Sequence, residues 1–232
     1  MPAADRPAPA SMHRLLAYCT PMLVFIFFLG LDQALKQPGG AFWRSAPEFW
    51  IYPLQTLSCA AALVWFRRDY QFDSLRRPVL SVAIALFIFV LWIAPQQFLD
   101  FPPRVDGFNP GAIASTPAFY RTILALRFLR LVIVVPLVEE IFWRGFLLRY
   151  LIREKFETVP FGTFSWLSFS IVTVAFALSH QPADWPAGIF AGALYNLVAY
   201  RTRSLGSCVF THALTNLALG LWIVSTRQWG FW

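Results

Sequence analysis

Seven apolar stretches, each close to the length that crosses a lipid bilayer, constrain this chain more than any other feature. They run roughly over 15–31, 48–66, 78–94, 123–152, 162–180, 186–200 and 205–224. A span takes about 20 largely apolar residues, with a range near 17–25. Hydrocarbon offers no partner to a backbone N–H or C=O, and a helix satisfies these groups within one segment. The expected fold is therefore all-α, a polytopic membrane helical bundle of about seven transmembrane helices. Composition agrees: 58% of the residues are hydrophobic and 13% charged, where a soluble domain carries about 25% charged.

Residues 1–14, MPAADRPAPASMHR, are rich in Pro and Ala and read as a disordered tail. The apolar run after them is long for a signal-peptide core, and the following DQALKQPGG has no small-x-small cleavage site. It reads as a retained first helix. Residues 15–118 comprise the N-terminal transmembrane helices and an extramembrane loop. That loop, APQQFLDFPPRVDGFNPGAIASTP, holds too much Pro, Gly and Asn for a continuous helix and is expected to form an ordered cap or re-entrant segment.

The net charge of +7 does not point to nucleic acid, because most Lys and Arg lie beside apolar spans. With the N-terminus cytoplasmic, Arg6, Arg14, Arg67, Arg68, Arg76, Arg77, Arg149, Arg153, Lys155, Arg201 and Arg203 all fall on that face. Lys36, Arg44, Arg104 and Arg227 fall on the other, which is the bias of the positive-inside rule. Cys19, Cys59 and Cys208 are far apart, each in an apolar run. Odd in number and without metal-ligand spacing, they read as small packing residues.

Three polar constellations interrupt the later spans. The fourth span reads RLVIVVPLVEEIFWRGFLLRYLI, with Glu139 and Glu140 adjacent and Arg144 four residues on. A charge at a helix centre in hydrocarbon costs on the order of 2.5–3.5 kcal/mol even on insertion scales. Two neighbouring carboxylates therefore demand a wet cavity lined by protein. Glu140 and Arg144 are i,i+4 neighbours able to pair, while Glu139 points about 100° away. Pro136, one turn earlier, cannot donate to the carbonyl of Val132, so a kink is expected there. The fifth span closes with Phe176 and His180 in F-x-x-x-H, and the seventh holds His212 and Asn216 in H-x-x-x-N.

Each set has a plain structural explanation. Glu140 and Arg144 suit a buried ion pair, His180 a satisfied helix-end histidine, and His212 with Asn216 interhelical hydrogen bonding. Together they supply a base, imidazoles and a carboxamide. Glu139 suits a general base acting on water with His180 orienting that water. His212 and Asn216 suit donors to the oxyanion of a tetrahedral intermediate, and Arg144 would keep Glu140 ionised.

E-E-x-x-x-R, F-x-x-x-H and H-x-x-x-N, in that order on apolar helices, resemble the CPBP (Abi) family of intramembrane glutamic endopeptidases, which includes the type II CAAX prenyl proteases. The resemblance covers roughly residues 120–225 and implies that 119–232 form the catalytic helical core. It implies catalytic roles for Glu139, His180, His212 and Asn216, supporting roles for Glu140, Arg144 and Phe176, and no required cofactor or metal. It also implies a membrane-associated protein or lipidated peptide as substrate, the lipid bilayer as setting, and no nucleic-acid partner. The small prokaryotic members of the family point to a bacterial inner membrane, and a subgroup accompanies exosortase sorting systems. Two other readings stand beside this one. A zinc metalloprotease would use His180, His212 and a glutamate as ligands. A non-catalytic scaffold or chaperone would keep the same polar core for folding alone. A transporter fits less well, because no second half of the chain repeats the first.

Overall fold

The computed structural model describes residues 11–104 and 107–232. Seven long helical runs dominate them, near the expected spans: α1 Met12–Leu35, α2 Glu48–Trp65, α3 Pro78–Phe98, α4 over 117–150, α5 Trp166–Leu178, α6 Trp185–Thr202 and α7 Leu205–Thr226. The first begins earlier than expected. Ser11 caps it, its Oγ accepting from the Arg14 N–H at 3.3 Å, which satisfies one of the orphan donors of the first turn. Residues 12–14 thus belong to α1, and residues 1–10 of the expected tail lie outside the described residues.

α4 is not a uniform helix. Thr116 caps it and Pro117 occupies its first turn, where the missing N–H costs nothing. Two π-helical segments, Leu129–Val134 and Ile141–Leu147, then bracket the α-helical piece Val135–Glu140. The Val135 N–H donates to the Arg130 carbonyl, five residues back. The next bond of that register would run from residue 136 to Leu131, but Pro136 has no hydrogen to give. Leu131, not Val132, is the carbonyl left in need, and the Asn216 Nδ2 of α7 donates to it at 2.9 Å. Such π segments are rare and concentrate at functional sites. Here they flank the acid pair.

α5 and α6 approach closely because glycines face the contact. A Cβ on Gly188 would lie 3.0 Å from the Ala177 Cα, and one on Gly192 would lie 3.1 Å from the Thr173 carbonyl oxygen. Small residues four apart are the usual device for close helix packing without a hydrophobic drive between helices. α7 packs against α3, α6 and the central part of α4, which brings its polar groups to the acid pair.

The connection between α3 and α4 folds as a cap rather than as a re-entrant helix. Phe108 is buried, the Arg104 N–H donates to the Gln96 Oε1 at 3.0 Å, and the Arg104 guanidinium pairs with Asp184. Backbones interlock there: a Cβ on Gly107 would run into the Trp229 carbonyl oxygen, so only glycine fits. The cap and the aromatic stretch 229–232 form one lid over that end of the bundle.

Helices α1, α3 and α7 are long and apolar enough to cross a membrane by length and composition. Large apolar side chains such as Leu23, Ile26 and Phe27 on α1 and Val79, Phe87 and Val90 on α3 face outward. Arg127, Arg130, Glu139, Glu140 and Arg144 are buried inside. An apolar exterior around a charged interior is the arrangement of a protein dissolved in lipid, where ionisable groups turn toward the bundle.

Candidate active site

The centre of the bundle is an ion-pair network built on α4. Arg144 and Glu140 are both fully buried, and the Arg144 Nη1 donates to the Glu140 Oε1 at 3.0 Å. The i,i+4 spacing makes this pair local. What lets the guanidinium remain there is α6. Arg144 Nε donates to the Asn196 Oδ1 at 3.1 Å and Nη2 to the Gly192 carbonyl at 3.2 Å. The Asn196 amide in turn donates to the Thr173 Oγ1 of α5 at 3.1 Å, which fixes its orientation. The rings of Phe176 and Tyr195 lie 4.9 and 5.2 Å from the guanidinium carbon. A buried charge left without such partners would be strongly destabilising.

His212 joins the network from α7. Its Nδ1 lies 2.8 Å from the same Glu140 oxygen, and its ring stacks on Tyr195 with centroids 4.8 Å apart. A carboxylate facing Nδ1 requires a hydrogen there. A neutral ring then has no proton on Nε2, and only a doubly protonated His212 can donate from that nitrogen.

Glu139 has a different environment. It is 6% exposed, and its Oε2 is buried without a hydrogen-bond partner among the described residues. It lines a cavity of about 170 Å³ together with His180, His212, Asn216, Phe176 and Trp92. All four residues expected to be catalytic therefore border one space. Glu140 and Arg144 stand behind it as supports of His212. The His180 Nδ1 pairs with the Phe176 carbonyl at 2.8 Å, which is possible only with the proton on Nδ1 and leaves Nε2 as an acceptor in the neutral ring. One hydrogen of the Asn216 amide is engaged by Leu131, and the second remains for another acceptor. Among the described residues, no three His, Cys, Asp or Glu side chains come together as a metal-ligand group.

Several members of the site carry no signal in the motifs. Asn196, Tyr195 and Gly192 on α6 hold Arg144, and Thr173 orients Asn196. The Gly188-x-x-x-Gly192 spacing would have marked α6 as a tightly packed helix. Arg127 and Asp184 also line the cavity, and neither belongs to a recognisable pattern.

Fold and site together define a class: a polytopic all-α integral membrane protein with a buried polar centre held by an ion pair. Residues 121–218 match the family model described as Rce1-like, type II CAAX prenyl endopeptidase. That segment, which is similar to this family, holds every residue of the three motifs. No curated protein and no solved structure matches the chain.

Proposed function

We propose that this protein is an intramembrane endopeptidase that hydrolyses a peptide bond of a membrane-associated protein with a glutamate-activated water. One observation carries the reading: Glu139, whose Oε2 has no hydrogen-bond partner among the described residues, lines a cavity shared with His180, His212 and Asn216. The family match over residues 121–218 supports a CAAX-protease-like activity, with a lipidated peptide as one candidate substrate. The bias of basic residues supports a cytoplasmic N-terminus, and a bacterial inner membrane is the proposed location.

In this mechanism Glu139 takes a proton from water as the water oxygen bonds to the scissile carbonyl carbon. His180 accepts a hydrogen bond from the same water through Nε2 and so orients it. The carbonyl oxygen becomes an oxyanion, stabilised by the free Asn216 amide hydrogen and by the Nε2–H of a doubly protonated His212. Collapse of the tetrahedral intermediate breaks the C–N bond, and Glu139 passes its proton to the leaving amine. Glu140 has the role of orienting His212 by accepting from its Nδ1–H, and Arg144 holds Glu140 in place by donating to the same oxygen. No step calls for a metal or an organic cofactor.

The test is a comparison of membrane proteomes from cells carrying the wild-type chain or Glu139→Gln. A shortened membrane protein present only with the wild type supports the proposal, and its purified precursor then serves as substrate. Identical proteomes, together with no cleavage by the purified chain of lipidated peptides, would overturn it.

A further inference from the structure

Four arginines of α4 are buried: Arg127, Arg130, Arg144 and Arg149. Three have acceptors. Arg130 Nε donates to the Gln55 Oε1 at 2.8 Å, Arg149 Nε to the Gly145 carbonyl at 2.7 Å, and Arg144 to the network above. Arg127 differs. It is 6% exposed, yet its Nε and Nη1 meet no acceptor among the described residues. Its guanidinium carbon instead lies 5.0, 4.9 and 5.4 Å from the ring centroids of Tyr52, Phe108 and Trp232. Aromatic faces offset part of the cost of holding a cation out of water, and Tyr52 adds a side-chain hydrogen bond, but Nε and Nη1 stay without an acceptor among the described residues.

The Arg127 side chain lines two cavities. On one side it lines the cavity that holds Glu139 and His180. On the other it lines a cavity of about 110 Å³ with Tyr52, Pro53, Thr56 and Ile123, where Glu48 and Arg130 are the other charged groups. Arg127 and Glu139 lie twelve residues apart on α4, so a ligand held at Arg127 leaves the reacting end of the cavity free.

We infer that Arg127 is the binding group for an oxyanion, a carboxylate or phosphate, borne by an amphiphile whose apolar part occupies the adjoining cavity. The guanidinium fork matches the two oxygens of either group, and such charge-assisted pairs are the strong ones in a dry site. The aromatic cage holds the fork in place before the ligand arrives. Two sources supply this chemistry: the headgroup of a bilayer phospholipid, or a carboxylate of the peptide being cleaved. The second source rests on the proteolytic function proposed above.

The full-length Glu139→Gln chain in detergent, which binds without turnover, provides the test. Isothermal titration compares one short apolar peptide as its free C-terminal acid and as its amide. Native mass spectrometry compares retention of phosphatidylglycerol with that of diacylglycerol bearing the same acyl chains. Tighter binding of the acid assigns the site to the peptide, and preferential retention of phosphatidylglycerol assigns it to lipid. In either case Arg127→Met should weaken the preferred ligand at least about tenfold, as expected for hydrogen bonds to a charged group. Arg127→Lys should recover part of it. If Arg127→Met does not fold, the acid–amide and lipid comparisons on the chain with Arg127 intact decide the matter alone. Equal binding of acid and amide with equal retention of both lipids overturns the inference, as does an unchanged preference in a folded Arg127→Met. Anion binding without any Glu139-dependent cleavage would overturn the proteolytic reading and leave this one standing.

Discussion

The Nδ1 of His212 sits 2.8 Å from the Glu140 Oε1, the same oxygen that accepts from Arg144 at 3.0 Å. One carboxylate oxygen thus receives hydrogens from two helices and fixes which nitrogen of His212 must carry a proton. The second glutamate of the pair is a positioning residue in this geometry, while the first is the one that faces free space. The division follows from helix geometry, because adjacent helical residues point about 100° apart.

Glu139→Gln should fold at least as well as the wild type, because it replaces a buried carboxylate whose Oε2 has no partner among the described residues. Turnover should fall by the roughly 10²–10⁴-fold typical of losing a general base. Thermal melting in detergent and cleavage of the identified precursor measure the two separately. Wild-type turnover in the variant would remove Glu139 from the mechanism.

Arg144→Met should cost about 3–5 kcal/mol, since it strands the buried Glu140 charge and leaves Asn196 and the Gly192 carbonyl without their donor. The expected readouts are lower folded yield and a lower melting temperature. Adding Glu140→Gln to Arg144→Met should recover much of the stability but little activity, since His212 has then lost its carboxylate. An Arg144→Met protein that melts like the wild type would contradict this account.

Asn216 has two tasks that can be separated. Asn216→Ala leaves the Leu131 carbonyl unsatisfied, at a cost of about 1–3 kcal/mol for a buried polar group. Combining it with Pro136→Ala restores a backbone N–H at position 136 in the register that reaches Leu131, and stability should rise again. Activity should stay low, because the oxyanion donor is still missing. Recovery of both properties in the double variant would show that Asn216 is needed only for the helix.

Gly192→Val should separate α5 from α6, because its Cβ would press on the Thr173 carbonyl and the Phe176 ring at 3.1 and 3.3 Å. Overpacking of this kind costs roughly 1–3 kcal/mol, and here it also displaces the carbonyl that receives Arg144. Gly30→Ala on α1, where nothing lies within 4 Å of the new Cβ, is the control and should leave melting and turnover unchanged or slightly improved. Equal behaviour of the two variants would argue against close α5–α6 packing as the support of the site.

Local geometry made part of this protein legible in its sequence. Apolar length gave the seven helical runs, and the i,i+4 spacing paired Glu140 with Arg144. The order of three motifs collected Glu139, His180, His212 and Asn216 as candidates, and the structure gathers them around one cavity. The first two readings hold because a helix fixes the relation between residues a turn apart whatever surrounds it. Relations between helices have no such rule. That Asn196 and Gly192 hold Arg144, that Glu140 decides the proton of His212, and that Asn216 serves Leu131 all depend on how closely α4, α6 and α7 approach and on two π segments that shift the register of α4. Arg127 shows the same limit most plainly. In the sequence it is one basic residue among many near a span end, and only its burial beside the cavity, with Nε and Nη1 unanswered among the described residues, singles it out as a proposed binding group, because the cost of an unpaired charge exists only where packing has removed the water.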